Sequence, residues 1–342
     1  MEYAGGRVTE DDLSPSQQMI RLVMVFIPAR AAYAAAKLGI ADQIDEAGST
    51  AENLAARLGV GALALERVLR ALSGVGVLRR DDAGRYTLTP VGATLRHDAP
   101  DSVRDYIIFV HEFLYDLFRG LDGSLRSGWP AVDEIFGAPL FTYLQSAPDK
   151  AALFHAGLGN RGRIEAPAIL EAYDFASCRN VVDLGGGNGA FLSAILAKHP
   201  GVTGLLMERG PAIAAARGGQ GGPLPPCNLV ESDYFKTVPS GGDVYVLKRV
   251  LFDHTDDEVT HILKNCRSAM DRASRLLIIE GLVGAANEPS LAHIMDLAYL
   301  VATTGRMRTE EEYAALLRRA KLHLTRVVPT RSDVSALEAV RA

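Results

Sequence analysis

The apolar positions keep a helical rhythm through most of the first half of the chain. After about residue 173 they give way to short β-branched runs alternating with helical stretches. Ser14-Pro-Ser-Gln17 supplies an N-cap, a proline at the first helical position and a capping-box glutamine. The helix this predicts runs through Ile20, Val23, Met24 and Ile27, is kinked or broken at Pro28, and continues over Ala31 to Lys37. Its apolar surface is wider than a small domain would cover, so it reads as a dimerisation helix, with a plain core helix as the alternative. Residues 1 to 13 are polar and predict a frayed start. Ser49-Thr-Ala-Glu52 predicts a second capping box opening a helix over 53–58, and Leu65, Val68, Leu69 and Leu72 mark another. Val75 to Leu88 reads as strand, turn, strand. Helix, helix, hairpin is the winged-helix pattern, which often binds DNA.

Residues 100 to 172 predict helices rich in aromatic side chains, among them Phe113, Tyr115, Phe118, Trp129, Phe136 and Tyr143. Most are expected in the core, with some lining a pocket for a flat ligand. Strands are then predicted at 180–184, 204–208, 228–232, 243–247 and 275–280, each followed by helix-like sequence or a long connection. This is the signature of a mainly parallel, doubly wound α/β sheet. Runs at 322–328 and 335–340 follow one another with no helix between them, which predicts a closing antiparallel hairpin.

The first predicted strand ends in Asp183-Leu-Gly-Gly-Gly-Asn-Gly189 and leads into a helix carrying Phe191, Leu192, Ile195 and Leu196. Strand, glycine turn and helix form the ligand-binding corner of such a sheet, because glycine brings no Cβ against the ligand and permits positive φ. Gly185, Gly187 and Ala190 also satisfy the dinucleotide pattern, with Glu208 as the distal acid. S-adenosylmethionine (SAM) fits better. Asp183 at the strand end suits a sulfonium or ammonium ligand and would repel a pyrophosphate, and a third acid, Asp233, follows the next strand.

Composition adds bounds. The chain has 342 residues, 48% of them hydrophobic and 23% charged, enough for two domains and a large core. Its net charge of -5 gives no general electrostatic reason to bind nucleic acid or an anionic membrane, and small molecules are the expected partners. Cys178, Cys227 and Cys266 are scattered, which suggests neither a zinc site nor a disulfide framework and fits a reducing cytoplasm. No metal site is expected. The apolar run from Met19 to Ala36 is interrupted by Arg21, Pro28 and Arg30, which argues against a membrane span.

Over nearly its whole length the chain resembles the small-molecule O-methyltransferases that include plant caffeate and bacterial polyketide-tailoring enzymes. The segments that carry the resemblance are Val181-Val-Asp-Leu-Gly-Gly-Gly-Asn-Gly189, Ser232-Asp-Tyr-Phe235, Leu247-Lys-Arg-Val-Leu-Phe-Asp-His-Thr-Asp-Asp257, Leu277-Ile-Ile-Glu280 and Gly305-Arg-Met-Arg-Thr309. The resemblance implies a class I methyltransferase sheet with an N-terminal, mainly helical, winged-helix dimerisation domain. Residues 1–100 would form that domain, 101–172 a helical connector with pocket residues, and 173–342 the Rossmann-like SAM domain of a homodimer. Asp183, Gly185, Gly186 and Gly187 would hold the methionine end of SAM or S-adenosylhomocysteine. Glu208 would take the ribose hydroxyls and Asp233 the adenine amino group, while Tyr234 packs on the ring and Lys248 completes the wall.

The departures from the family pattern concern chemistry. The family's general-base histidine falls on Phe252, and one of its flanking glutamates falls on Met307; the other is kept as Glu280. His254, where the family has tryptophan, is a candidate replacement, with His111 and His293 as further ones. In this the chain resembles the branch of carminomycin O-methyltransferase and aclacinomycin hydroxylase, which also lacks the histidine. The expected activity is SAM-dependent O-methylation of an aromatic or polycyclic secondary metabolite, carried mainly by proximity. The alternatives are a family member that keeps SAM but hydroxylates, rearranges or cyclises, and a winged-helix regulator that senses a metabolite.

Overall fold

The computed structural model describes residues 13–217, 227–288 and 290–342. Most of the polar start, residues 1–12, lies outside them. The chain divides into two compact units, Met1–Glu112 and Phe113–Ala342.

The first unit is helical with a two-stranded wing. Both halves of the Ser14–Gln17 capping box form, and the helix Pro15–Met24 follows. The break falls at Val25, three residues before Pro28, and a second helix spans Phe26–Leu38. Pro28 has no N–H to return to the Met24 carbonyl, so the disruption appears one turn upstream of the proline itself. Nothing in Pro15–Met24 is buried, and Met19, Ile20, Leu22 and Val23 are all about 60% exposed. Pro15–Leu38 is also, by length and composition, able to cross a membrane, despite the interruptions.

The second cap differs by one residue from expectation. Thr50 caps the helix Ala51–Leu58 by accepting from the Asn53 N–H, while Ser49 bridges to Tyr86 and binds Asp45. The helix Ala62–Gly74 buries Leu65, Leu69 and Leu72 on one stripe. β1 (Leu78–Arg80) and β2 (Tyr86–Leu88) pair antiparallel as the wing.

The second unit carries the sheet, formed by β3 (Asn180–Leu184), β4 (Thr203–Glu208), β5 (Asn228–Glu231), β6 (Val244–Lys248), β7 (Arg275–Glu280), β8 (Leu322–Pro329) and β9 (Ser335–Arg341). Their spatial order is β5-β4-β3-β6-β7-β9-β8. The first five are parallel, and β9 runs antiparallel between β7 and β8. Alternate residues of each strand feed different layers. Val182, Leu184, Tyr245, Leu247, Leu276 and Ile278 pack under the helices Asp256–Ala269 and Glu310–Arg319. Val181, Val244, Val246, Leu277 and Ile279 face the helices Pro148–Ala172 and Ala190–Lys198. Of the aromatic residues between 100 and 172, Phe113 is buried, but Trp129 and Tyr115 are exposed and belong to no core.

Candidate active site

Strand order reverses on either side of β3, which opens a crevice at the carboxyl ends of β3, β4 and β6. The glycine turn lies there. Gly185, Gly187 and Gly189 all hold positive φ, and the Gly185 N–H donates to the Met207 carbonyl at 2.8 Å. A Cβ on Gly186 would sit 2.3 Å from Asp183 Oδ2, whereas one on Gly187 would meet nothing within 4 Å. Gly186 thus makes room for the acid, and Gly187 leaves the open side of the turn clear. Asp183 is 1% exposed and neither carboxylate oxygen has a hydrogen-bond partner among the described residues. Burial pushes its pKa up to about 7, with Lys248 pulling the other way and Glu208 adding to the rise.

Glu208 ends β4 and accepts the Arg209 N–H at 2.6 Å; burial raises its carboxyl as well. The Asp233 carboxylate accepts the Phe235 N–H at 2.9 Å, which shapes the turn after β5. Tyr234 comes back over the glycine turn, its Cε1 3.3 Å from where a Gly185 Cβ would be. Its hydroxyl shares a 3.1 Å hydrogen bond with His254 Nε2, and Phe235 meets the same imidazole edge-on at 5.1 Å. His254 therefore belongs to the Tyr234 side of the crevice, and burial lowers its pKa to about 4. His111 lies in the first unit, in ring contact with Tyr33, and His293 is partly exposed on the helix Leu291–Ala302.

Lys248 has a partner the sequence did not suggest. Its ammonium meets Glu165 Oε2 at 2.7 Å, and Arg249 binds Glu165 Oε1 at 2.6 Å and Asp333 Oδ2 at 2.9 Å. Arg161 binds Glu165 at 3.0 Å and also pairs with Asp333. Burial alone would raise the Glu165 carboxyl, but Lys248 and Arg249 hold it far below the ordinary range. Arg249 is one of few non-glycine residues with positive φ, at 54°. The left-handed turn lets neighbouring Lys248 and Arg249 converge on one carboxylate. Helical spacing of Arg161 and Glu165 was the available sign of this cluster; the long-range partners carried none.

The positions of the family's histidine and one flanking glutamate are apolar. Phe252 stacks on Tyr299 with ring centroids 4.2 Å apart and clusters with Ala292, Met307 and Val283. Glu280 is fully buried, its Oε1 accepting the Val250 and Leu251 N–H groups at 3.0 and 2.9 Å while Oε2 has no partner among the described residues. Burial raises its pKa to about 7, against the opposing charge of Arg249. The turn carrying Phe252 is held from the other side by buried Arg308, which donates to the Leu251 carbonyl at 3.0 Å and the His254 carbonyl at 2.7 Å. Gly305 lies against it so closely that a Cβ would stand 1.9 Å from the Phe252 carbonyl oxygen.

Residues 118–322 match the O-methyltransferase domain, and residues 20–98 match the O-methyltransferase dimerisation domain. The chain belongs to the O-methyltransferase family. Phenazine O-methyltransferase PhzM of Lysobacter antibioticus is 35% identical over 95% of this chain and 96% of its own. CalO1, a methyltransferase in calicheamicin biosynthesis solved with S-adenosylhomocysteine bound, superposes with a TM-score of 0.85 at 34% identity, covering 97% of this chain and all of that one. The O-methyltransferase NcsB1 from neocarzinostatin biosynthesis, solved with SAM and 2-hydroxy-5-methyl naphthoic acid, gives a TM-score of 0.73 at 30% identity over 92% and 96%. The methyltransferase is SAM-dependent, and its own residues fit that cofactor. The unpartnered, buried Asp183 carboxylate lies beneath a glycine turn whose outer face is clear. The match to the dimerisation domain begins inside the exposed apolar helix Pro15–Met24.

Proposed function

We propose that this methyltransferase acts on an oxygen of an aromatic or polycyclic secondary metabolite, mainly by holding the acceptor in line with SAM. The observation that carries the reading is the stacked Phe252–Tyr299 pair, an aromatic, proton-inert surface at the family's base position. Asp183 and Gly185 to Gly187 would hold the methionine end of SAM, Glu208 the ribose hydroxyls, Asp233 the adenine amino group and Tyr234 the ring. Lys248 would act on the cofactor as part of its buried pair with Glu165. When bound, SAM supplies an electrophilic methyl group; the protein binds, orients and excludes water. Positioning of this kind can contribute as much as or more than the roughly hundred- to ten-thousandfold typical of base catalysis. The missing histidine supports a place in the branch of carminomycin O-methyltransferase and aclacinomycin hydroxylase.

A homodimer is part of the proposal. The exposed residues Met19 to Ile27 form an apolar face that a second copy would cover. The unpaired thiols of Cys178, Cys227 and Cys266 fit a cytoplasmic enzyme.

The test is incubation with methyl-labelled SAM and a panel of phenolic acceptors, read by mass spectrometry. Label on oxygen supports the reading, whereas an altered product with SAM intact would overturn it. Glu208→Ala should weaken SAM binding by about 2 kcal/mol or more, since the ribose hydroxyls lose both acceptor oxygens. Unchanged affinity in calorimetry would remove Glu208 from the site.

A further inference from the structure

Asp183 and Lys248 lie on one face of the sheet. Asp183 is in register with Val246 of β6, and Lys248 stands two residues further along that strand, so both side chains point into the layer of the helices Pro148–Ala172 and Ala190–Lys198. Lys248 is thus the diagonal neighbour of Asp183, and its four-carbon stem is flexible enough to turn toward it. Its ammonium lies 5.8 Å from the centre of the Phe191 ring, on the helix that leaves the glycine turn. Yet the two charges do not pair. Among the described residues neither oxygen of Asp183 has a hydrogen-bond partner, while Lys248 donates to Glu165 Oε2 at 2.7 Å. A buried carboxylate beside a lysine ordinarily takes that lysine as its partner, and here another carboxylate has taken it.

We propose that Glu165 is a positioning residue for the cofactor: it ties Lys248 back, so that the Asp183 carboxylate stays open for the ammonium of SAM instead of closing on a cation of the protein itself. This rests on the reading in which Asp183 holds the methionine end.

The helix Pro148–Ala172 is built for the task. Glu165 has a side chain only 2% exposed, and Gly162, three residues earlier on the same helix, would bring a Cβ to 4.0 Å from the Lys248 ammonium. No side chain of that residue stands between the helix and the lysine. Arg249 closes on the same carboxylate, its Nη2 donating to Oε1 at 2.6 Å, and Arg161 donates to Oε1 at 3.0 Å. Both arginines also pair with Asp333. Without the charge of Glu165, three buried cations would crowd about the single carboxylate of Asp333. Lys248, the most flexible of them, would be driven out of the cluster, and the open anion on its own face of the sheet is Asp183.

Calorimetry with SAM reads the effect as a double-mutant cycle of Glu165→Gln and Lys248→Met. With Lys248 present, Glu165→Gln should weaken SAM binding about tenfold or more, and in the Lys248→Met background the same change should cost far less. An equal loss in both backgrounds would make Glu165 a purely structural residue and overturn the proposal. A second ligand, 5′-methylthioadenosine, keeps the adenosine and has no ammonium. Its affinity should fall much less than that of SAM in Glu165→Gln, and an equal fall for both ligands would also overturn the proposal. Glu165→Asp keeps the charge that the arginines surround and serves if Glu165→Gln does not fold. Its shorter stem should weaken SAM binding a few fold, and only while Lys248 is present; a loss independent of Lys248 defeats the role. Asp183→Asn tests the reading beneath: wild-type SAM affinity in that variant would remove Asp183 as the partner of the ammonium. A loss in Asp183→Asn beside a Glu165 effect indifferent to Lys248 would defeat the role of Glu165 alone.

Discussion

Arg308, with no exposed surface, donates to the main-chain carbonyl of His254 at 2.7 Å, so a buried guanidinium holds the backbone that carries the His254 imidazole. The same guanidinium reaches the Leu251 carbonyl and pairs with Asp256. His254 in turn holds the Tyr234 hydroxyl.

Arg308→Met should therefore lower both stability and SAM affinity. Each stranded carbonyl costs about 1–3 kcal/mol. Urea unfolding checks the first effect and calorimetry the second. A variant of wild-type stability would refute the clamp.

Asp183 sets a pH dependence that runs against intuition. Its folded value of about 7 lies above the ordinary aspartate value of about 3.9, so between these the folded protein keeps a proton the unfolded chain has lost. Stability from this site is present at low pH and is lost as pH rises toward 7. From pH 4 to pH 8, Asp183→Asn should gain on the ligand-free wild type by on the order of 3 kcal/mol, while binding SAM more weakly. Denaturant unfolding of both proteins at the two pH values measures the gap, and a constant gap would contradict the assigned burial.

Restoring the family residues by Phe252→His with Met307→Glu should not raise turnover. Phe252 gives up its stacking on Tyr299, and the new glutamate enters a cluster otherwise made of Phe252, Ala292, Val283 and the Tyr299 ring. Two unpaired polar groups there cost roughly 1–3 kcal/mol each. The companion test is His254→Ala. Facing Tyr234 and Phe235, His254 should contribute modestly, and a pH–rate limb near 4 that disappears with it would instead make it the base.

Ile20→Glu with Val23→Glu places charges on the exposed apolar helix and should convert a dimer to monomers. Small-angle scattering at micromolar concentration reads the outcome. A wild-type protein that is already monomeric and fully active would refute the homodimer.

The sheet was legible because its strands are short apolar runs with helical spacing between them, and all seven begin and end within a residue of expectation. Capping was less so: Ser49 and Thr50 are both competent caps, and only the bridge from Ser49 to Tyr86 decides between them. Strand, glycine turn and Asp183 could be read together because they are contiguous in the sequence. The grip of Glu165 on Lys248 and Arg249 could not, since those partners are 83 and 84 residues away. Tyr299 likewise meets Phe252 only through tertiary packing.

Gly305 has a bearing on how such an enzyme can diversify. With its Cα side pressed against the Phe252 carbonyl, and with Glu280 and Arg308 fastening the same turn, the main chain at 251–254 has no slack for a new acceptor. On the proposed reading, a change of substrate range comes through the facing helix Leu291–Ala302, whose Ala292 and Tyr299 belong to the Phe252 cluster. Libraries meant to redirect the enzyme belong on that helix, and the pinned turn is best left as the fixed reference against which new acceptors are measured.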